Sequence, residues 1–216
     1  MVSRTSESSG GQREQALGRR ERKKLATRAA VQEAAVRLAV RFGVENVTVE
    51  QIAAEADIAL RTFFNYFPSK EHALVAFTAS GADALVEAFR ARPATESVLD
   101  AIRGSVLVVM SENISASRTH IDALRLISEA PSLWPHQLAI LTGYEKALAS
   151  AIAERGEPDG LYASVCAAAS IAALRVVVAR CLARSGSGAF SLEEFRSEFD
   201  KALAELGAGL DRPPGT

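Results

Sequence analysis

Residues 48–70, TVEQIAAEADIALRTFFNYFPSK, leave this chain few ways to fold. Thr48 and Gln51 stand at the spacing of a capping box, with Val47 and Ile52 placed as its hydrophobic staple, so a helix starts here. Ile52, Ala53 and Ala56 give that helix one apolar face. A turn follows at Ala56, Asp57 and Ile58. One of these residues needs positive φ, and Asp tolerates it better than most residues with a side chain. A second short helix is predicted from Ala59 to Tyr66. Pro68 ends it and opens the next element, with Ser69 as the cap. Two short helices across so tight a turn outline a helix-turn-helix, whose second helix can enter the major groove of DNA.

On that second helix Phe63 and Phe67 are four apart and share an inward face, and Leu60 and Phe64 form another such pair. Arg61, Thr62, Asn65 and Tyr66 are left to look outward. Arg and Asn can make paired hydrogen bonds to guanine and adenine edges, and Thr and Tyr can reach phosphate or a thymine methyl. Each one alone is more often an ordinary exposed side chain. Together, on a helix this short, they read as a DNA-facing set.

The chain upstream agrees. Residues 19–24 (RRERKK) with Arg28 place six positive charges against Glu21 at a helix start. The helix dipole disfavours cations there, and an incoming phosphate relieves the conflict. The helix continues with Leu25, Ala29, Ala35, Leu38, Ala39 and Phe42 on its apolar side, and Gly43 closes it. Residues 1–18 are rich in Ser, Gly, Gln and charge without an apolar period, and are read as a disordered arm. From Arg13 to Lys70 there are 11 Lys and Arg against 7 Asp and Glu, a net +4. From Glu71 onward the counts are 13 and 18, a net −5. A basic head on an acidic body is the asymmetry expected if only the head meets phosphate.

The rest of the 216 residues reads as helix after helix, with 48% apolar residues to build a core. Helices are predicted over 71–92, 95–111, 120–129, 134–155, 161–183 and 192–206, with a polar loop over 113–119 and breaks at 156–160 and 185–188. Ser191 and Glu194 form a second capping box, with Phe190 and Phe195 as its staple. The 161–183 helix is apolar nearly all round and must be covered on most sides. Its length suits a membrane, but Arg175 and Arg180 interrupt it. Helices 161–183 and 192–206 from each of two copies would make a four-helix dimer interface. The expected fold class is all-α: an arm (1–18), a three-helix DNA-binding head (19–70), a ligand-binding and dimerisation body (71–210) and a tail (211–216). Dimerisation would let two recognition helices read the half-sites of a pseudo-palindromic duplex.

No catalytic constellation stands out. His72, His120 and His136 lack metal-ligand spacing, and no phosphate-binding or nucleophile motif is present. Cys166 and Cys181 share one predicted helix at roughly 22 Å, too far to bridge within a chain. The expectation is no enzyme, no metal and no cofactor. The N-terminus lacks the order of a secretion signal, which points to the cytoplasm.

GRRERKKLATRAAVQEAAVRLAVRFGVENVTVEQIAAEADIALRTFFNYFPSKEHAL resembles the DNA-binding head of the tetracycline-repressor (TetR) family of bacterial regulators, with IAAEAD and TFFNYFPSKE the most specific segments. The resemblance implies a recognition helix beginning at Ala59 and Leu60, and phosphate contacts from Thr48, Tyr66, Lys70 and the neighbourhood of Arg28. Asp57 departs from the family's usual Gly. Ala59 departs from its usual Ser or Thr and forgoes a cap worth about 1 kcal/mol.

More diffusely, RLISEAPSLW (125–134), YEKALASAIAERGEPDGLYA (144–163) and AALRVVVARCLA (172–183) resemble mycofactocin-type and acyl-coenzyme-A-responsive members. That likeness implies an apolar or acyl-type effector, an acyl-coenzyme A or a fatty acid, enclosed by the body helices and releasing DNA when bound. Candidate lining residues are Phe77, Phe89, Leu107, Met110, Leu126, Leu133, Trp134, Leu141, Tyr144 and Cys166, each of which also fits plain core. Arg125 and Arg175 are candidate anchors for an anionic group; Arg175 has apolar neighbours on its own helix and needs a partner. The sequence therefore reads as a homodimeric repressor released by a small molecule. A ligand-independent or activating regulator is the alternative, and a helical-bundle enzyme a more distant one.

Overall fold

The computed structural model describes residues 7–116, 118–156, 160–185 and 190–209. The all-α expectation holds: every regular element among them is helical. They fall into two compact units, one ending at Phe77 and the other starting at Thr78.

In the first unit, α1 (Glu7–Phe42) is longer than predicted and carries helix into the segment expected to be an arm. From residue 18 on, its buried side chains begin at Val31 and continue through Ala34, Ala35, Val36 and Ala39. Leu25 and Phe42, expected on the apolar face, are exposed. Gly43 ends the helix with φ 84°, which a residue without Cβ adopts without strain. A single 3-10 turn, Val44–Asn46, leads into α2 (Val49–Glu55). The predicted capping box is complete. The Thr48 hydroxyl accepts from the Gln51 amide at 3.3 Å, and the Thr48 amide donates to Gln51 Oε1 at 2.9 Å. Val47 and Ile52, its staple, are both buried. Asp57 takes φ 53° in the turn, as anticipated. Then comes α3 (Leu60–Tyr66), which ends where Phe67 turns extended ahead of Pro68. The Ser69 hydroxyl accepts from the His72 amide at 3.4 Å and caps α4 (Lys70–Arg90).

The second unit holds most of α4, then α5 (Val98–Ala116), α6 (Arg118–Glu129), a 3-10 turn at Pro131–Leu133, α7 (Trp134–Ala153), α8 (Gly160–Ser185) and α9 (Leu192–Ala208). The polar loop predicted over 113–119 is a correction: α5 runs to Ala116 and α6 starts at Arg118. Polar residues are only mildly unfavourable in a helix, so polarity without Gly or Pro does not by itself break one. Parts of the two predicted breaks (157–159 and 186–189) and the tail (211–216) lie outside the described residues.

One core fills this unit, with Phe89, Ile102, Leu148, Ile152, Phe195 and Phe199 fully buried. Phe195 and Phe199 stack at 5.7 Å, and Phe190 meets Phe195 at 5.9 Å, as the predicted staple requires. The second capping box is half made: Ser191 accepts from the Glu194 amide, but the Glu194 carboxylate pairs with Arg184 at 3.1 Å. At one corner Arg90 binds Glu154 at 2.9 and 3.0 Å. Arg155 lies over the Phe89 ring at 5.0 Å and donates to the Pro93 carbonyl. Arg92 clasps Glu96, and its guanidinium lies against Gly104 of α5, where an added Cβ would come within 2.8 Å of Cζ.

The apolar face of α9 is spent inside the chain against α5 and α8: Phe195, Phe199 and Leu203 are buried. Its exposed positions mix charged residues (Glu193, Arg196, Lys201 and Glu205) with Ser197, Ala204, Gly207 and Ala208. α8 carries an exposed apolar stripe: Leu161, Val165, Ala172, Val176, Ala179 and Ala183. That helix is long and apolar enough to cross a membrane by length and composition.

Candidate nucleic-acid interface and effector site

The exposed side of α3 is built from behind. Phe63 and Phe67 are fully buried with ring centroids 6.0 Å apart, and fix how the helix sits on the first unit. That leaves Leu60, Arg61, Phe64 and Asn65, at i, i+1, i+4 and i+5, on one exposed face. Thr62 and Tyr66 are half-buried at its edge.

Here the sequence reading of Phe64 is corrected. Leu60 and Phe64 do form a pair, but it faces out, at 40% and 53% exposure. A seven-residue helix has two apolar stripes and can bury only one; Pro68 and Phe67 favour the other. The periodicity allows either choice, so nothing local marks Phe64 as a contact.

Beside this face, Thr48 is exposed. Its oxygen is used in the capping box, so its hydroxyl hydrogen remains available to donate. Arg28 is exposed with its guanidinium over the Phe67 ring at 4.9 Å. Ala59 has the extended backbone of a cap, φ −68° and ψ 147°, without a capping side chain. Lys70 is half-buried. Its ammonium donates to the carbonyls of Val44 and Val47, both at 2.9 Å, and of Glu45 at 3.4 Å.

Of the residues expected to line an effector site, Phe89, Leu107, Met110, Leu141, Tyr144 and Cys166 come together in or against the core of the second unit. Leu126 and Leu133 lie outside that cluster, on α6 and the following turn; Leu133 is fully buried. Phe77 belongs to the first unit. Trp134 and Arg175 are exposed, with the guanidinium 5.9 Å from the ring centroid, so Arg175 has an aromatic partner at the surface. Arg125 is half-buried; Nη2 donates to Ser185 Oγ at 3.2 Å, and Nε is buried without a partner among the described residues.

The buried hydroxyls of Tyr144 and Ser170 are likewise unpartnered among the described residues. Burial, with the Asp83 carboxylate adding to it, pushes the Tyr144 phenol well above its ordinary range and keeps it neutral. Ser170 is invisible to sequence reasoning, since a single Ser in an apolar run carries no signal. Cys181 is buried, and burial, then Glu194 and Glu198, push its thiol up. No cluster of three or more His, Cys, Asp and Glu side chains suited to a metal ion occurs among the described residues.

A short helix with a polar and apolar outer face, behind a capped helix and a basic α1, defines a helix-turn-helix protein. Comparison with known proteins places it more closely. The family described as bacterial regulatory proteins, tetR family, matches residues 31–77, and the MftR C-terminal domain matches residues 96–211. The chain belongs to the TetR family, and its family and fold are those of transcriptional regulators, not enzymes.

It is 32% identical over 149 residues to the HTH-type transcriptional regulator TcmR of Streptomyces glaucescens, an alignment spanning 66% of each chain. A TetR-family regulator from Syntrophomonas wolfei shares the fold with TM-score 0.63 at 16% identity, over 87% of this chain and 98% of that one. Thermus thermophilus FadR, a TetR-family repressor solved in complex with lauroyl-CoA, matches with TM-score 0.54 at 18% identity, over 88% of this chain and 98% of that one.

Proposed function

We propose that the chain is a homodimeric repressor that reads a pseudo-palindromic duplex and is released from it by an acyl-type effector. The observation that carries the DNA half is the outer face of α3. Arg61 and Asn65 supply paired hydrogen bonds to base edges, and Leu60 and Phe64 supply apolar surface for thymine methyls. Thr48, Tyr66 and Arg28 flank this face as phosphate contacts, and Ala59 brings the main chain close without a capping group of its own.

The effector half is supported by the second unit. Leu107, Leu141, Tyr144 and Cys166 are apolar or neutral and half-buried around the buried Met110, and the Tyr144 and Ser170 hydroxyls lack partners among the described residues. An acyl chain ending in a thioester or carboxyl group suits such a lining, and Arg125 Nε is a donor for an anionic end. The lauroyl-CoA complex of the Thermus thermophilus protein supports the same ligand class.

A second copy covers the exposed stripe on α8. Release is a population shift: the effector binds more tightly to the form that does not hold DNA. The protein works in the cytoplasm, where its duplex is. The test is a gel shift with the duplex upstream of its own gene. Binding should weaken steeply with salt and be lost on adding lauroyl-CoA. No binding at low salt by folded protein defeats the DNA reading, and binding indifferent to acyl-CoA and fatty acids defeats the effector reading.

A further inference from the structure

We propose that Lys70 is a positioning residue of the DNA-binding unit, in place of the phosphate contact that family resemblance implies. It is the first residue of α4, where a cation meets the unfavourable end of the helix dipole. What offsets that cost is on the other side of the ammonium. The Val44, Glu45 and Val47 carbonyls converge on Nζ at 2.9, 3.4 and 2.9 Å. They belong to the 3-10 turn and the residue after it, so they present the negative end of a helical turn. Two of the three ammonium protons are held at 2.9 Å and the third makes a long contact at 3.4 Å. A phosphate would compete with the Glu45 carbonyl for the third.

The carbonyls lead directly to Thr48. Val47 precedes it, and Thr48 caps α2 through its bonds with Gln51. Lys70 therefore ties the entry to α2 to the first turn of α4, across 23 to 26 residues of sequence. The whole of α2, the turn at Asp57 and α3 lies in the loop it closes. Its effect on DNA passes through Thr48 and α3. This last step rests on the DNA reading above; the clamp itself does not.

The experiment compares the full-length wild type with Lys70→Met and Lys70→Arg. Amide hydrogen exchange over residues 46–51 is measured without DNA, and affinity is measured against salt with DNA. For Lys70→Met the expectation is exchange about tenfold faster at these amides, as for loss of charge-assisted hydrogen bonds. Its DNA affinity falls with the salt slope unchanged. Lys70→Arg keeps the charge in case the Met variant does not fold; a planar fork cannot meet three converging carbonyls, so exchange should again rise. Wild-type exchange in either variant overturns the proposal. So does a salt slope smaller by about one in Lys70→Met, which is the signature of a lost phosphate contact. If the wild type binds no duplex, the DNA reading fails, while exchange still decides the clamp.

Discussion

Arg103 of α5 and Asp200 of α9 meet side by side, with Nε 2.6 Å from Oδ1 and Nη2 2.7 Å from Oδ2. The hydrogen bonds to Arg103 hold the Asp200 carboxyl below its ordinary value, against a smaller opposing push from burial. A lowered carboxylate contributes stability that is present above its unfolded value of about 4 and is lost as pH falls through the lowered folded value. Both side chains are 37% exposed, so solvent screening keeps the contribution under about 1 kcal/mol. Asp200→Asn should therefore melt slightly lower than wild type at pH 7, with the difference closing below about pH 4. Thermal unfolding at pH 7, 4 and 3 checks this; a gap independent of pH contradicts it.

Ala59 has a cap's backbone and no cap's side chain. Ala59→Ser should gain about 1 kcal/mol of stability by satisfying an amide at the start of α3. It should also tighten DNA binding, since a hydroxyl is added beside the reading face. Chemical denaturation reads the first and a gel shift the second. A destabilised variant would mean the α3 amides are already satisfied.

Tyr144 buries a hydroxyl that reaches no partner among the described residues, and such a group destabilises the fold. Tyr144→Phe should match or exceed wild-type stability, by up to about 1 kcal/mol. If the effector uses that hydroxyl, the same variant loses part of the thermal shift produced by lauroyl-CoA. Differential scanning calorimetry with and without ligand measures both. A clear loss of stability in the apo variant would show that the hydroxyl is satisfied in solution.

The exposed stripe on α8 predicts that Val176→Glu separates the two copies. A charge buried without a partner costs several kcal/mol at an interface. Light scattering should report monomer mass, circular dichroism should report unchanged helix, and DNA affinity should fall. An intact dimer would move the interface elsewhere.

Much of this molecule was legible in the sequence because its signals are local. The Thr48–Gln51 box, positive φ at Asp57, the missing cap at Ala59 and the stop at Pro68 depend on neighbours within four residues, and each stands as read. What failed depended on partners far along the chain. Phe63 and Phe67 turn inward as read, but that Leu60 and Phe64 face out was decided by the packing of the first unit. How α9 seats its apolar face was decided by α5 and α8, the former some ninety residues earlier. The carbonyls around Lys70 were not legible either, because main-chain acceptors leave no mark on a sequence. Ser170 was hidden for the opposite reason, since a hydroxyl in an apolar run is ordinary until its partners are sought.

The guanidinium of Arg92 occupies the space a side chain at Gly104 would take. Glycine inside a helix costs roughly 1 kcal/mol against alanine, so natural drift should favour Ala at 104. An added Cβ makes the Arg92 guanidinium, the far end of a flexible side chain, move aside. The two positions are thus expected to change together. Among descendants of this gene, an Ala or Ser at 104 should travel with a shorter residue at 92, and a retained Arg92 should travel with Gly104.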